Sequence, residues 1–404
     1  MCSHAVQQQL PITQLDIASA YLYGDIDTVI YMKQPPGFIG QENHVCKLLK
    51  SIYGLNQSGF IWHNLLKNTI LKDSNYSQSS LDPCLFYADN RNFILIYVDD
   101  ILLVGSNSAM RNKIQNKFTT HDLGNIQQFL NVKFERTEHS ISISQENFIL
   151  QLLKSYNLQD INPKKTPMLK LELDESPFLP DNLKYTQLVG SLIYLTTVSR
   201  PDIAYCVIYL ARQSSKPTER NWNQLKHLLA YLKSTAKIGI NFSEGNGSKL
   251  SAFCDSDYAG DLKTGRSTSG IIVQHGTNLI SWKSSLQSRV ALSSFEAEYY
   301  ALAEVTKEII YFTQLLKELK ITNQQPTLIS IDNQSAIVVA NSPLAKFNPK
   351  SKHINTKFHF IKTEINDGKV KLIHVPSNEN LADILTKVLP LPAFTRLSSY
   401  LKGG

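Results

Sequence analysis

Two groups of acidic residues stand where acids are costly. The first is the pair Asp99 and Asp100, set between the apolar runs Phe93 to Val98 and Ile101 to Gly105. Carboxylates at the tip of a hairpin with buried arms must either meet solvent at the turn or be held by cations. Asp16 stands in a similar apolar setting, Leu15 to Tyr21. Read alone, the pair is a turn and Asp16 a strand-end cap. Read together, carboxylates from separate strands suit a pair of hard Mg2+ ions ~4 Å apart, the arrangement that supports in-line phosphoryl transfer.

The second group is Asp255, Glu298, Asp332 and Asp383. Asp255 ends an apolar strand, and Asp332 closes the strand Leu328 to Ile331. Glu298 opens a long helix whose apolar stripe runs Leu302, Val305, Ile309, Phe312, Leu316, Leu319. Four residues before Leu302, it lies on that stripe and points at the sheet. Glu296 sits about 200° away and reads as a capping box with Ser293. Asp383 stands near the start of a last helix expected from about Asn378. Any one of these acids is an ordinary cap. Four converging on one sheet edge repel one another unless cations are bound.

Elements of two kinds must position these acids. In the first part a strand from Gln14 to Ala20, a helix from Ser58 to Leu71, a hairpin from Cys84 to Ser106 and a tight turn at Asp99-Asp100 are expected. A helical middle follows, apolar through Leu188 to Leu195, Ile203 to Leu210 and Trp222 to Leu232, with no chemistry of its own. The last part reads as three antiparallel strands, the long helix, then alternating strand and helix, with a mixed segment before the strand Val370 to Val375. Turn-rich stretches at 162–181 and 243–248 read as linkers.

With 404 residues, 42% hydrophobic and 19% charged, the chain is an ordinary multidomain globular protein, neither disordered nor collagen-like. A net charge of +7 favours polyanionic partners only weakly. Five scattered cysteines without a C-x-x-C pair suggest neither a disulfide framework nor a zinc site, and a reducing compartment fits. No signal peptide or membrane span is legible, so a soluble, intracellular chain with no membrane partner is expected.

Four motifs in order, Leu15 to Asp25, Ile30 to Phe38, Leu49 to Gln57 and Tyr97 to Asp100, resemble the reverse transcriptase of copia-type retrotransposons. The resemblance implies that Asp16 and Asp99 hold the metals and that Asp100 assists. It makes Tyr21 the steric gate against a ribose 2′-hydroxyl and puts Gln57 beside the incoming nucleotide and template base. The family's usual Leu-Lys-Gln-Ala-Pro-Arg is here Leu55-Asn56-Gln57-Ser58-Gly59-Phe60, without its lysine and arginine. Only fifteen residues precede Asp16. The family's fingers strands are therefore expected to be missing, and nucleotide to bind poorly.

The last part resembles ribonuclease H of the same elements, through Lys263 to Gly270, Ile280 to Lys283, Ala291 to Ser294, Asp332 to Ala336, Ser351 to Ile354 and Asn380 to Lys387. That resemblance implies two Mg2+ or Mn2+ ions per active site, here held by Asp255, Glu298, Asp332 and Asp383, for cutting the RNA strand of RNA·DNA hybrids. The middle resembles the family's linker at Leu188 to Leu195, Ser199 to Ile203 and Tyr231 to Thr235. Seven lysines between Lys346 and Lys371, among them Lys350, Lys352 and Lys357, face only two acids there. They read equally as a solvated face or as a phosphate track.

The expected fold is therefore mixed α/β and α+β: a palm with an antiparallel sheet, a helical thumb and connection, and a three-layer ribonuclease H domain. The expected boundaries are 1–160 for truncated fingers and palm, 161–243 for thumb and connection, 244–390 for ribonuclease H and 391–404 for a tail. The resemblance implies RNA template, RNA·DNA hybrid and deoxynucleoside triphosphates as partners, integrase or other Pol subunits as further ones, and a cytoplasmic virus-like particle or the nucleus as location. The alternative is a decayed or host-retained fragment that binds nucleic acid or Pol subunits without polymerising.

Overall fold

The computed structural model of the chain describes residues 1–404 except 39, 41–43, 73, 246, 248, 322, 324–325, 343–351 and 404; the side chains of 352–355 also lie outside the description. The chain forms two compact units. The larger comprises Met1–Gln7, Gln127–Leu316 and Thr322–Gly404, and the smaller Gln8–Ile126 with Lys317–Ile321. These units do not coincide with the three segments expected from turn chemistry. A short helix α1 (Cys2–Gln7) belongs to the larger unit.

The smaller unit is built on a six-stranded sheet. Its strands are β1 (Ile12–Ile17), β4 (Ser77–Gln78), β5 (Leu85–Tyr87), β6 (Phe93–Tyr97), β7 (Asp100–Val104) and β8 (Thr120–Asn125), in the order β4-β5-β6-β7-β1-β8. A separate ribbon pairs β2 (Tyr31–Lys33) with β3 (Val45–Lys47). The apolar runs that flank the acid pair are the hairpin β6–β7, and β1 pairs antiparallel with β7 and β8. Helices α2 (Ser58–Leu71) and α3 (Ser108–Lys117) cover this sheet. Trp62, Leu66 and Ile70, spaced four apart along α2, pack with Met110, Ile114, Leu15, Ile17, Ile96 and Ile101 in one core.

The larger unit holds two sheets. One has the order β12-β11-β10-β9, from β9 (Gln128–Phe129), β10 (Val132–Arg136), β11 (Ser140–Ser144) and β12 (Ile240–Ser243). Helices α4 (Glu146–Ser155), α5 (Leu183–Val198), α6 (Ala204–Ala211) and α7 (Glu219–Ser234) lie between β11 and β12 in the chain. The second sheet has the order β15-β14-β13-β16-β17: β13 (Leu250–Asp257), β14 (Thr268–His275) and β15 (Asn278–Leu286) are antiparallel, while β16 (Thr327–Ile331) and β17 (Val370–His374) run parallel to β13. Its helices are α8 (Ser294–Glu318), α9 (Gln334–Asn341), α10 (Lys352–Asn366) and α11 (Leu391–Leu401).

Three expectations change. The mixed segment before β17 ends in α10, with Phe358 and Ile361 buried one turn apart. The last helix does not begin at Asn378; two short 3-10 turns, Ser377–Glu379 and Leu381–Leu385, precede α11. The segment read as a tail carries α11, whose Phe394, Leu397 and Leu401 are buried. Among the described residues no helix is long and apolar enough to cross a membrane.

Candidate active sites

In the smaller unit, strand register places Asp16 of β1 directly opposite Asp100 of β7. The tight turn lies one residue earlier than expected: Tyr97 pairs with Asp100, leaving Val98 and Asp99 as the turn. The Ile17 N–H donates to the Asp99 carbonyl at 3.0 Å, so the backbone itself brings Asp99 alongside Asp16. Asp100 accepts from Gln14 Nε2 at 2.8 Å, and burial, with Asp99 and Asp16 nearby, raises its pKa. Its carboxylate is thus engaged by the strand neighbouring its own. The ring of Tyr21 lies 4.5 Å from that of Tyr53. Burial raises the Tyr53 phenol, and the charges of Asp99 and Asp16 raise it further, which places Tyr53 in the same site. Tyr53 carries no role from sequence; its sole signal was its position inside a motif. Gln57, just ahead of α2, donates to Thr28 Oγ1 at 3.4 Å.

In the larger unit, adjacent strands deliver two acids to the same end of the sheet: Asp255 on β13, and Asp332 just past β16. Asp383 comes from the 3-10 turn Leu381–Leu385, not from the first turn of a helix as expected. Asn380 fixes that turn. Its side-chain oxygen accepts from the Ala382 N–H at 3.1 Å, and its Nδ2 donates to the Cys254 carbonyl at 2.9 Å, next to Asp255. The turn also lies hard against β14, where a Cβ on Gly270 would stand 2.8 Å from the Ala382 carbonyl oxygen. Only glycine fits there.

Asp255, Asp332 and Asp383 each offer an oxygen within 4.8 Å of the others. Glu298 borders this cluster without joining it. Its Oε1 accepts from the Ser256 N–H at 3.3 Å and its Oε2 has no partner. Burial, then Asp255 and Asp332, push Glu298 up to about 9. Burial and Asp255 likewise raise Asp383 to about 7, and its Oδ1 is also without a partner. Two orphaned, buried carboxylate oxygens beside a three-aspartate cluster are the donor set a hard cation needs. Thr386 Oγ1 donates to Asp255 Oδ2, and Lys387 Nζ lies 3.0 Å from Asp383 Oδ2 and 3.9 Å from Asp255 Oδ2. Sequence reasoning gave Asn380, Thr386 and Lys387 no role; their spacing around Asp383 was the available signal.

Glu296 behaves as a helix-start residue, though not as the reciprocal box expected. Its N–H donates to Ser293 Oγ at 3.2 Å, while its carboxylate accepts from the Leu292 N–H at 2.8 Å, one residue before the cap. Of the proposed phosphate track, Lys346 and Lys350 lie outside the described residues, as does the side chain of Lys352. Lys357 has its ammonium 3.5 Å from the centre of the Tyr300 ring, and burial lowers it to about 8. Its charge is already engaged by that ring.

Residues 1–170 match the family described as reverse transcriptase (RNA-dependent DNA polymerase). The Retrovirus-related Pol polyprotein from transposon RE2 of Arabidopsis thaliana is 36% identical over 98% of this chain and 28% of its own length. An uncharacterized mitochondrial protein of the same plant is 36% identical over 54% of this chain and 93% of its own length. A solved ribonuclease H1 isolated from compost aligns with 34% of this chain and 93% of its own, at 18% identity and a TM-score of 0.28. The chain spans less than a third of the polyproteins it matches. With its reverse transcriptase segment matched and its resemblance to RE2 running almost end to end, the chain belongs to the Pol polyprotein family of copia-type retrotransposons.

Proposed function

We propose that the larger unit cuts the RNA strand of RNA·DNA hybrids and that the smaller unit is the palm of an RNA-directed DNA polymerase, each working with two Mg2+ or Mn2+ ions. The observation that carries this reading is the cluster of Asp255, Asp332 and Asp383, of which Asp255 and Asp383 are buried, with the orphaned oxygens of Asp383 and Glu298. Divalent cations bound there lower the pKa of water and stabilise a leaving 3′ oxygen.

The chain's own residues do the rest. Thr386 orients Asp255, and Asn380 ties the turn carrying Asp383 to β13. In the metal-free chain Glu298 holds a proton at neutral pH, on Oε2, because Oε1 accepts from Ser256. The Lys387 ammonium offsets part of the repulsion between Asp255 and Asp383. In the palm, Asp16 and Asp99 would hold the cations, while Asp100, bonded through Oδ1 to Gln14, would assist. The Tyr21 ring, tilted at 4.5 Å against that of Tyr53, would be the steric gate against a ribose 2′-hydroxyl. Its substrates are then an RNA template and deoxynucleoside triphosphates.

The test is to incubate the whole chain and Mg2+ with labelled RNA·DNA hybrid, single-stranded RNA and duplex DNA. Cuts are expected in the RNA of the hybrid alone, and chelation should stop them. An uncut hybrid, or cutting that survives chelation, contradicts the reading.

A further inference from the structure

Val98, the residue before Asp99 in the β6–β7 turn, has φ 56°. That is the left-handed region, which a β-branched residue adopts only when its surroundings impose it. Two-residue hairpin turns call for positive φ and normally supply glycine or asparagine for it. Here the chain supplies an outside donor instead. Trp62 of α2, 1% exposed, donates its indole N–H to the Val98 carbonyl oxygen at 2.6 Å.

The indole is itself held. Its ring meets Phe118 edge-on at 5.2 Å and lies 6.2 Å from Tyr23, and it packs with Leu66 and Ile70 in the core beneath the sheet. On the other side of the turn, the Ile17 N–H binds the Asp99 carbonyl at 3.0 Å, one residue beyond Asp16. The turn is therefore gripped twice, by the strand that carries Asp16 and by a helix with no acid of its own. Loss of the second grip would leave the Val98 carbonyl without its donor and a strained residue free to relax.

We propose that Trp62 is a positioning residue of the palm: its indole N–H holds Val98 in the left-handed conformation and so sets where Asp99 stands relative to Asp16. This rests on reading Asp16 and Asp99 as cation-holding acids.

The experiment uses the whole chain carrying Asp255→Asn and Asp383→Asn, so that Mn2+ binding, followed by the resonance of free Mn2+, reports the palm. Trp62→Phe keeps an aromatic ring and removes the donor. Val98→Gly removes the reason the donor is needed. Trp62→Phe should weaken Mn2+ binding by about tenfold, the scale of one buried hydrogen bond, but by no more than about threefold when Val98→Gly is also present. Should Trp62→Phe fail to fold, a benzothiophene isostere of tryptophan at residue 62 removes the N–H at constant shape, and the same comparison applies. Unchanged binding in the donor-less chain overturns the proposal. So does an equal loss with Val98 and with Gly, which would be a general packing defect. If the parent chain binds no Mn2+, the palm reading itself fails and takes this proposal with it.

Discussion

In the larger unit three of the four acids, Asp255, Glu298 and Asp383, are each less than a tenth exposed and only Asp332 is half-buried, whereas Asp16, Asp99 and Asp100 of the smaller unit all keep part of their surface in water. The buried acids are placed by side chains: Asn380, Thr386 and Lys387 around the aspartates, with the Ser256 N–H on Glu298. The open acids are placed first by backbone, through the register of β1 with β7 and the turn at Val98, with the side chains of Gln14 and Trp62 bonded to Asp100 and to the turn. One centre is desolvated before any cation arrives, and its glutamate is protonated at neutral pH. The other has only its geometry set beforehand, and water screens its charge. Burial raises pKa values in the first far more than in the second, and that difference can be broken experimentally.

The largest expected effect is from separating the buried centre from its supports. A cut at residue 243 removes the two bonds between the Ser243 backbone and the Asn278 side chain, the 2.6 Å bond from Trp282 Nε1 to the Thr196 carbonyl, and the contacts of Arg212 with Asp261 and Thr268. Each lost polar bond costs ~1 kcal/mol against a total stability of ~5–15 kcal/mol, before the lost apolar packing is counted. Residues 244–404 alone should show no cooperative melting and no cleavage of hybrid, while residues 127–404 should show both. A fragment 244–404 that melts cooperatively and cuts would break the account of the supports.

Next comes the buried ion pair of the larger unit. Arg200 and Asp202 are fully enclosed, bonded through two 2.9 Å contacts, with the Tyr231 hydroxyl donating to Asp202 at 2.5 Å. Burial would raise Asp202, but the Arg200 guanidinium overrides it and brings the acid to about 2. Arg200→Ala should cost ~3–5 kcal/mol by stranding a buried charge. Exposed pairs in the smaller unit, such as Lys50 with Asp25, should contribute ~0–1 kcal/mol. Because the folded pKa of Asp202 is depressed, its contribution is present above about pH 4 and is lost as pH falls toward 2. Melting curves of the variant across that range check both points.

A smaller effect separates the two centres by pH. Glu298 is raised to about 9 from 4.5, so between those values the folded metal-free chain binds more protons than the unfolded one, and stability falls as pH rises. Mg2+ favours the ionised acids and should flatten that slope. Glu298→Gln should raise the metal-free melting temperature at pH 8 by about 2–4 °C for each kcal/mol relieved. The smallest effect is in the palm, where Asp16→Asn should move stability by less than about 0.5 kcal/mol. A metal-free slope that Glu298→Gln leaves unchanged would remove the contrast.

Much of this was legible in the amino-acid order. The helix Ser58 to Leu71 appears with both ends as read, because its turn chemistry and its buried residues agree. The acids were legible because each interrupts an apolar run. What surrounds them was not. Asp383 reads as a helix residue since Leu381, Ile384 and Leu385 are apolar at helical spacing, yet the closeness of Gly270 and the Asn380 anchor hold that segment as a 3-10 turn. Arg200 sits in a Ser-Arg-Pro-Asp stretch that reads as loop, and nothing local says that Tyr231 and Thr235 will enclose it. The supposed linker at 162–181 is irregular but partly packed, with Met168 buried and the Pro167 carbonyl accepting from Cys206. Proline and lysine punctuate a chain without saying whether it lies on a core.

The most direct measurement compares two neighbouring glutamates in the whole chain under single-turnover cleavage of an RNA·DNA hybrid. Glu298 faces the aspartates with an orphaned oxygen, and Glu296 serves the helix start. Glu298→Gln should lower the rate by about a hundredfold or more, as for loss of a group that acts only on the developing charge, while Glu296→Gln should stay within about threefold and lose ~1 kcal/mol of stability. The reverse order, or equal rates in both variants, would contradict the assignment of the buried cluster as the cutting centre.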